Sequence, residues 1–218
     1  MEPGNLQETV ENIGDWVVRT RQPPGEGPHP VLLLLHGWTG DENSMWIFAS
    51  RLPEDAYLIA PRGLYRTKLG GYGWQAQGSH FWPSVDDFHP AIERLLHLLQ
   101  PKNFPGADLK DLRIAGFSQG AALTYTIALL HPHLVRSLAG LSGFLPGGVS
   151  PLVEGQPLRG KAVFVAHGTQ DERVPVEKAR HAVQVLETAG ARVSYCEDDV
   201  GHKLSLTCFK GLEAFFED

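Results

Sequence analysis

Leu112-Arg113-Ile114-Ala115-Gly116-Phe117-Ser118-Gln119-Gly120-Ala121-Ala122-Leu123 decides how this chain of 218 residues is read. Leu112, Ile114 and Ala115 make the apolar run of a buried strand. After Gly120 the residues from Ala121 to Leu130 form a helix-compatible run that Pro132 stops. Between the two lies Gly116-x-Ser118-x-Gly120, the spacing of a nucleophile elbow. A serine in so sharp a strand-to-helix turn leaves no room for Cβ atoms beside it, and glycine removes them. The helix that follows aims its free N–H groups and positive dipole end at the serine, where both favour negative charge. The string alone arises by chance in Gly- and Ser-rich loops. The strand before it and the helix after it supply the context the motif requires.

Outward from this stretch, strands and helices alternate. Val31 to Leu35 is an unbroken apolar run, which points to a strand buried on both faces of a parallel sheet. It leads into His36-Gly37-Trp38-Thr39-Gly40-Asp41-Glu42-Asn43, followed by a helix from Ser44 to Leu52. Ala56 to Ala60 is the next buried strand. Trp16 to Thr20 reads as a short edge strand, and the first 14 residues carry little signal. Ser84 to Gln100 is a helix with Val85, Phe88, Ile92, Leu95, Leu96 and Leu99 on one face. Pro90 is expected in or near its first turn, so that the regular part begins at about Asp87. Strands at Ser137–Ser142, Lys161–Ala166 and Arg192–Cys196 alternate with helices at 176–189 and 204–216. The pattern predicts an α/β fold, a mostly parallel central sheet with helices on both faces, as one domain over residues 1–218.

Composition narrows the function classes. A net charge of −6 offers no basic footprint for nucleic acid and no polybasic membrane patch. The N-terminus lacks the basic and apolar regions of a signal peptide, and no apolar run is long enough to span a bilayer. With Cys196 and Cys208 the only cysteines, no disulfide framework is expected; both read as core thiols, and the setting as cytoplasmic. No cluster has metal-ligand spacing and no nucleotide fingerprint appears, so neither metal nor cofactor is expected. The oligomeric expectation is a monomer or homodimer. Residues 64–83 form a long excursion rich in glycine and in the rings of Tyr65, Tyr72, Trp74, Phe81 and Trp82. It reads as a cover over the site mouth. With Phe144 and Leu145 at a strand end, Trp74, Phe81 and Trp82 are expected to wall an apolar substrate pocket.

A serine hydroxyl needs a base, and the base needs an acid to fix its tautomer. The order Ser, Asp, His is met by Ser118, Asp171 and His202, each in a loop after a strand. Of the 10 histidines, His36 and His167 also end strands but read as turn or supporting residues. His131 and His133 flank Pro132, and His80, His89, His97 and His181 sit in the excursion or on helices, whereas Gly201 lets the short His202 loop approach the serine. Among acids, Asp198 and Asp199 compete with Asp171, while Glu172 points elsewhere.

His36-Gly37-Trp38, the Gly116–Gly120 elbow, His167-Gly168-Thr169-Gln170-Asp171-Glu172-Arg173-Val174-Pro175 and Gly201-His202 together resemble the phospholipase/carboxylesterase family of α/β-hydrolases. That family includes acyl-protein thioesterases and small bacterial esterases. The likeness covers about Val31 to Phe216. It implies Ser118 as nucleophile, Asp171 as orienting acid, His202 as base, and an oxyanion hole from the amides of Trp38 and Gln119. Family members often read H-G-x-G-D where this chain has His-Gly-Trp-Thr-Gly-Asp. Dienelactone hydrolases are related but carry cysteine at the position of Ser118. The resemblance implies a serine carboxylesterase acting on short- to medium-chain esters. Its alternative is a lysophospholipase or acyl-protein thioesterase for long acyl chains, which the aromatic excursion motivates. A binding protein that keeps the fold without catalysis is the third reading.

Overall fold

Val31 to Leu35 lies at the centre of an eight-stranded sheet with every one of its side chains buried. Val31, Leu33 and Leu35 face one apolar core and Leu32 and Leu34 face another, because successive side chains of a strand alternate between faces. The structure is a computed structural model and describes residues 6–76 and 82–217. In chain order it contains β1 (Gln7–Ile13), β2 (Trp16–Gln22), β3 (His29–Leu35) and β4 (Tyr57–Pro61). A small hairpin of β5 (Tyr65–Arg66) and β6 (Tyr72–Gly73) follows, then α1 (Val85–Leu98), β7 (Ala107–Phe117), α2 (Gln119–Leu130) and β8 (Val135–Leu141). The chain continues with β9 (Ala162–Gly168), α3 (Val176–Thr188), β10 (Arg192–Asp198) and α4 (Leu206–Glu217).

The sheet order is β1-β2-β4-β3-β7-β8-β9-β10. From β4 to β10 neighbours are parallel, and only the β1–β2 and β2–β4 pairings are antiparallel. Helices α1, α2 and α3 pack into the core on the Leu33 side, while α4 and a 3-10 turn at Trp46–Arg51 cover the Leu34 side. Helix α2 is buried from Gln119 to Leu129, so it is apolar all round rather than amphipathic. Among the described residues no helix is long and apolar enough to cross a membrane.

Four sequence expectations need correction. Trp16–Gln22 is not the edge: β1 pairs outside it, with Ile13 opposite Trp16 across a two-residue Gly14-Asp15 turn. Gly14 has φ 58, and a Gly-Asp turn of this kind is a hairpin signal readable in the sequence. The helix expected from Ser44 is only the 3-10 turn. Helix α1 starts at Val85, with the Ser84 amide donating to the Asp87 carboxylate at 2.7 Å, and Pro90 lies inside it. Pro90 and Asp86 are exposed, so water can solvate the Asp86 carbonyl that Pro90 leaves without a helix partner. Finally, Cys196 and Cys208 are not free thiols but a disulfide, with Cα atoms 5.6 Å apart. Only the return of α4 along β10 brings them within bonding range.

Candidate active site

Ser118 occupies the junction of β7 and α2 at φ 53 and ψ −114, a conformation that costs a non-glycine residue free energy and persists only where the surroundings enforce it. Here they do. The Ser118 amide donates to the Leu141 carbonyl at 2.8 Å. A Cβ on Gly116 would run into the Gly120 carbonyl, and one on Gly120 would run into the Leu35 carbonyl. The strand, the elbow and the helix are thus pressed together at two glycines. Gln119 opens α2, so its N–H has no partner within the helix.

The loop after β3 lies against the elbow: a Cβ on Gly37 would stand 3.2 Å from the Ser118 Cβ. His36 holds this loop from beneath. It is fully buried, and its Nε2 accepts the Gly63 amide at 2.8 Å. The remaining ring proton therefore sits on Nδ1 and goes to the Gly37 carbonyl at 2.7 Å. Burial lowers its pKa and keeps it neutral. Trp74 adds support, donating from Nε1 to the His36 carbonyl at 2.7 Å. Trp74 in turn donates its backbone amide to Oε1 of Gln119 at 2.9 Å. The hairpin clamps the loop from outside. Tyr72 N–H donates to the Gly40 carbonyl at 2.8 Å, and a Cβ on Gly71 would collide with the Thr39 carbonyl. Arg62 forks onto the buried carboxylate of Glu42, Nε to Oε2 at 2.7 Å and Nη2 to Oε1 at 2.9 Å. That guanidinium holds the Glu42 carboxyl below its usual range.

On the other side of the elbow, His202 Nδ1 lies 2.7 Å from Asp171 Oδ2. An ionised carboxylate can only accept, so Nδ1 carries the proton and Nε2 is left as the basic nitrogen. Oδ1 of Asp171 accepts the Arg173 and Val174 amides, each at 2.9 Å, which fixes the carboxylate plane. The His202 ring lies 5.0 Å from that of Phe117, the residue before Ser118. The competing acids are engaged elsewhere. Asp199 accepts from the Thr169 hydroxyl at 3.2 Å, and Asp198 is held by Ser205 and Thr207. His167 sits behind Asp171, with Nε2 2.7 Å from the Val174 carbonyl and 3.4 Å from Asp171 Oδ2, and burial lowers its pKa. Ser118, Asp171, His202, Trp38 and Gln119 thus all lie at the carboxyl ends of parallel strands. Among the described residues no group of three or more His, Cys, Asp or Glu is placed to hold a metal ion.

The expected pocket residues lie elsewhere. Trp74 is fully buried, and Phe144 and Leu145 belong to the core on the α1–α3 side, with Trp82 edge-on to Phe144 at 4.8 Å. Phe81 falls outside the described residues. The described part of the excursion buttresses the β3 loop rather than walling a pocket. An apolar cavity of about 590 Å³ opens on the other face of the sheet, beside His202. Trp38, Ile47, Phe48, Leu204, Leu206 and Phe209 line it. In sequence the last five fall within the helices expected at Ser44–Leu52 and 204–216. The signal available was weak: two large apolar residues, Ile47 and Leu206, on helix faces that the core does not use.

A profile of the phospholipase/carboxylesterase family matches residues 20–217. Acyl-protein thioesterase 1 of Eremothecium gossypii is 28% identical over 164 residues, 66% of this chain and 67% of that protein. Carboxylesterase SOBER1 of Arabidopsis thaliana is 28% identical over 130 residues, 58% of this chain and 57% of that protein. A carboxylesterase structure from Mesorhizobium loti superposes with a TM-score of 0.82 at 22% identity, covering 96% of this chain and 98% of its own. The chain belongs to the phospholipase/carboxylesterase family and has the α/β-hydrolase fold.

Proposed function

We propose that this ester hydrolase works through an acyl-serine on Ser118, with His202 as base, Asp171 as its orienting acid and the amides of Trp38 and Gln119 as the oxyanion hole. His202 Nε2 takes the Ser118 proton as Oγ bonds the substrate carbonyl carbon. The developing oxyanion meets the two amides, each donor being worth about 3–4 kcal/mol to the transition state. His202 then gives its proton to the departing alcohol or thiol, and water activated by the same nitrogen hydrolyses the acyl-enzyme. The observation that carries this reading is the 2.7 Å bond between His202 Nδ1 and Asp171, beside an elbow held at positive φ. The substrates are small carboxylic esters of short to medium chain. Long-chain thioesters are the second reading, favoured by the name of the fungal relative. A cytoplasmic setting, inferred partly from cysteine scarcity, loses that support once Cys196 and Cys208 are paired.

The test is hydrolysis of p-nitrophenyl esters of increasing acyl length. Ser118→Ala should lower kcat by about 10⁶ and Asp171→Asn by about 10⁴, while Asp199→Asn stays near wild type. A larger loss in Asp199→Asn than in Asp171→Asn would move the acid. Substantial turnover by Ser118→Ala would remove the nucleophile.

A further inference from the structure

Three of the seven exposed large apolar side chains among the described residues gather at one place, the cavity beside His202. Ile47 is 74% and Leu206 84% exposed at its rim, with Trp38 on the oxyanion side. Its floor is Phe48 stacked on Phe209, with centroids 5.5 Å apart. Core packing explains the floor. It does not explain Ile47 and Leu206, which cover nothing and stand in water around a concave apolar surface. The volume, about 590 Å³, suits a small organic ligand.

We propose that this cavity is the leaving-group subsite, and that it selects esters of apolar alkyl or aryl alcohols. The inference rests on the catalytic reading above. When the tetrahedral intermediate collapses, the C–O bond to the alcohol breaks and its electron pair goes to oxygen. That oxygen takes the proton His202 received from Ser118, and the acyl group stays on Oγ. The leaving oxygen must therefore lie within hydrogen-bond reach of His202 Nε2. One wall of the cavity is His202 and the next four residues, Lys203 to Leu206, so an arm that begins at His202 runs along it. On the opposite face, among the described residues, Phe144 and Leu145 are packed into the core.

Two ester series separate the arms: acetates of ethanol, butanol, hexanol and octanol, and ethyl esters of acetic, butyric, hexanoic and octanoic acids, followed by proton release. The wild-type kcat/KM should rise about two- to four-fold per methylene along the alcohol series until the cavity is filled, and stay nearly flat along the acyl series. In Ile47→Asp and Leu206→Asp, which alter exposed side chains, the octyl-to-ethyl acetate ratio should fall at least about ten-fold. A rise along the acyl series that these variants flatten would make the cavity an acyl groove and overturn the assignment. So would a wild-type profile flat in both series, or a ratio unmoved by both variants. Failure of the catalytic reading looks different: full turnover in Ser118→Ala, or no ester cleaved by wild type, would remove Ser118 as nucleophile and the subsite with it.

Discussion

Thr39 holds φ 69 with its side chain exposed, in the loop proposed to present the Trp38 amide. A β-branched residue is strained in the left-handed region, at a cost of roughly 1–2 kcal/mol. The position is enforced from outside, since Tyr72 pairs with Gly40 and Gly71 leaves space for the Thr39 carbonyl. Thr39→Gly should therefore stabilise the fold by about 0.5–1 kcal/mol after the added backbone entropy of glycine is subtracted. A urea midpoint that fails to rise would show that the Thr39 conformation is not strained. At this scale the sequence was most legible where chemistry is local. The elbow glycines, Ser118 and the order Ser, Asp, His could all be read from spacing. The neutral state of His36 could not, because its partner on Nε2 is the amide of Gly63, at the end of another strand.

Strand β10 and helix α4 are joined by the Cys196–Cys208 disulfide across a sequence separation of 12, and the loop it closes carries His202. Cross-linking a loop of that size removes conformational entropy from the unfolded chain worth about 2–4 kcal/mol. The double variant Cys196→Ala/Cys208→Ala should lose about that much stability, and wild type in reductant should approach it. Equal urea midpoints with and without reductant would mean that the bond does not form in the protein. Two cysteines, an exposed strand and an amphipathic helix give no pairing distance in sequence, so this link was invisible there. The Gly14-Asp15 hairpin was legible in retrospect. Its strand is not, because β1 is mostly exposed and has no apolar run to announce it.

Across the molecule, two histidines among the described residues, His36 and His167, are buried, and burial holds them below the ordinary value of 6.5. Below that pH the unfolded chain binds protons that the native protein refuses, so stability falls as pH drops. It is unaffected by these groups above about 6.5, where both states are neutral. Each removes up to about 1.4 kcal/mol per pH unit of descent. Urea titrations between pH 6.5 and 5 should show a shallower fall in His36→Gln than in wild type; parallel slopes would mean that His36 is protonated in the native state. The sequence by itself determined the alternation of strand and helix and the buried parallel sheet, and it proposes Ser118, His202 and Asp171 as nucleophile, base and acid. These follow from apolar periodicity and from motif spacing within single turns. Tertiary structure alone decided which face of the sheet keeps an apolar cavity, what the described part of the aromatic excursion supports and that the two thiols meet. Each of those depends on distances between segments far apart in the chain, which no local pattern encodes.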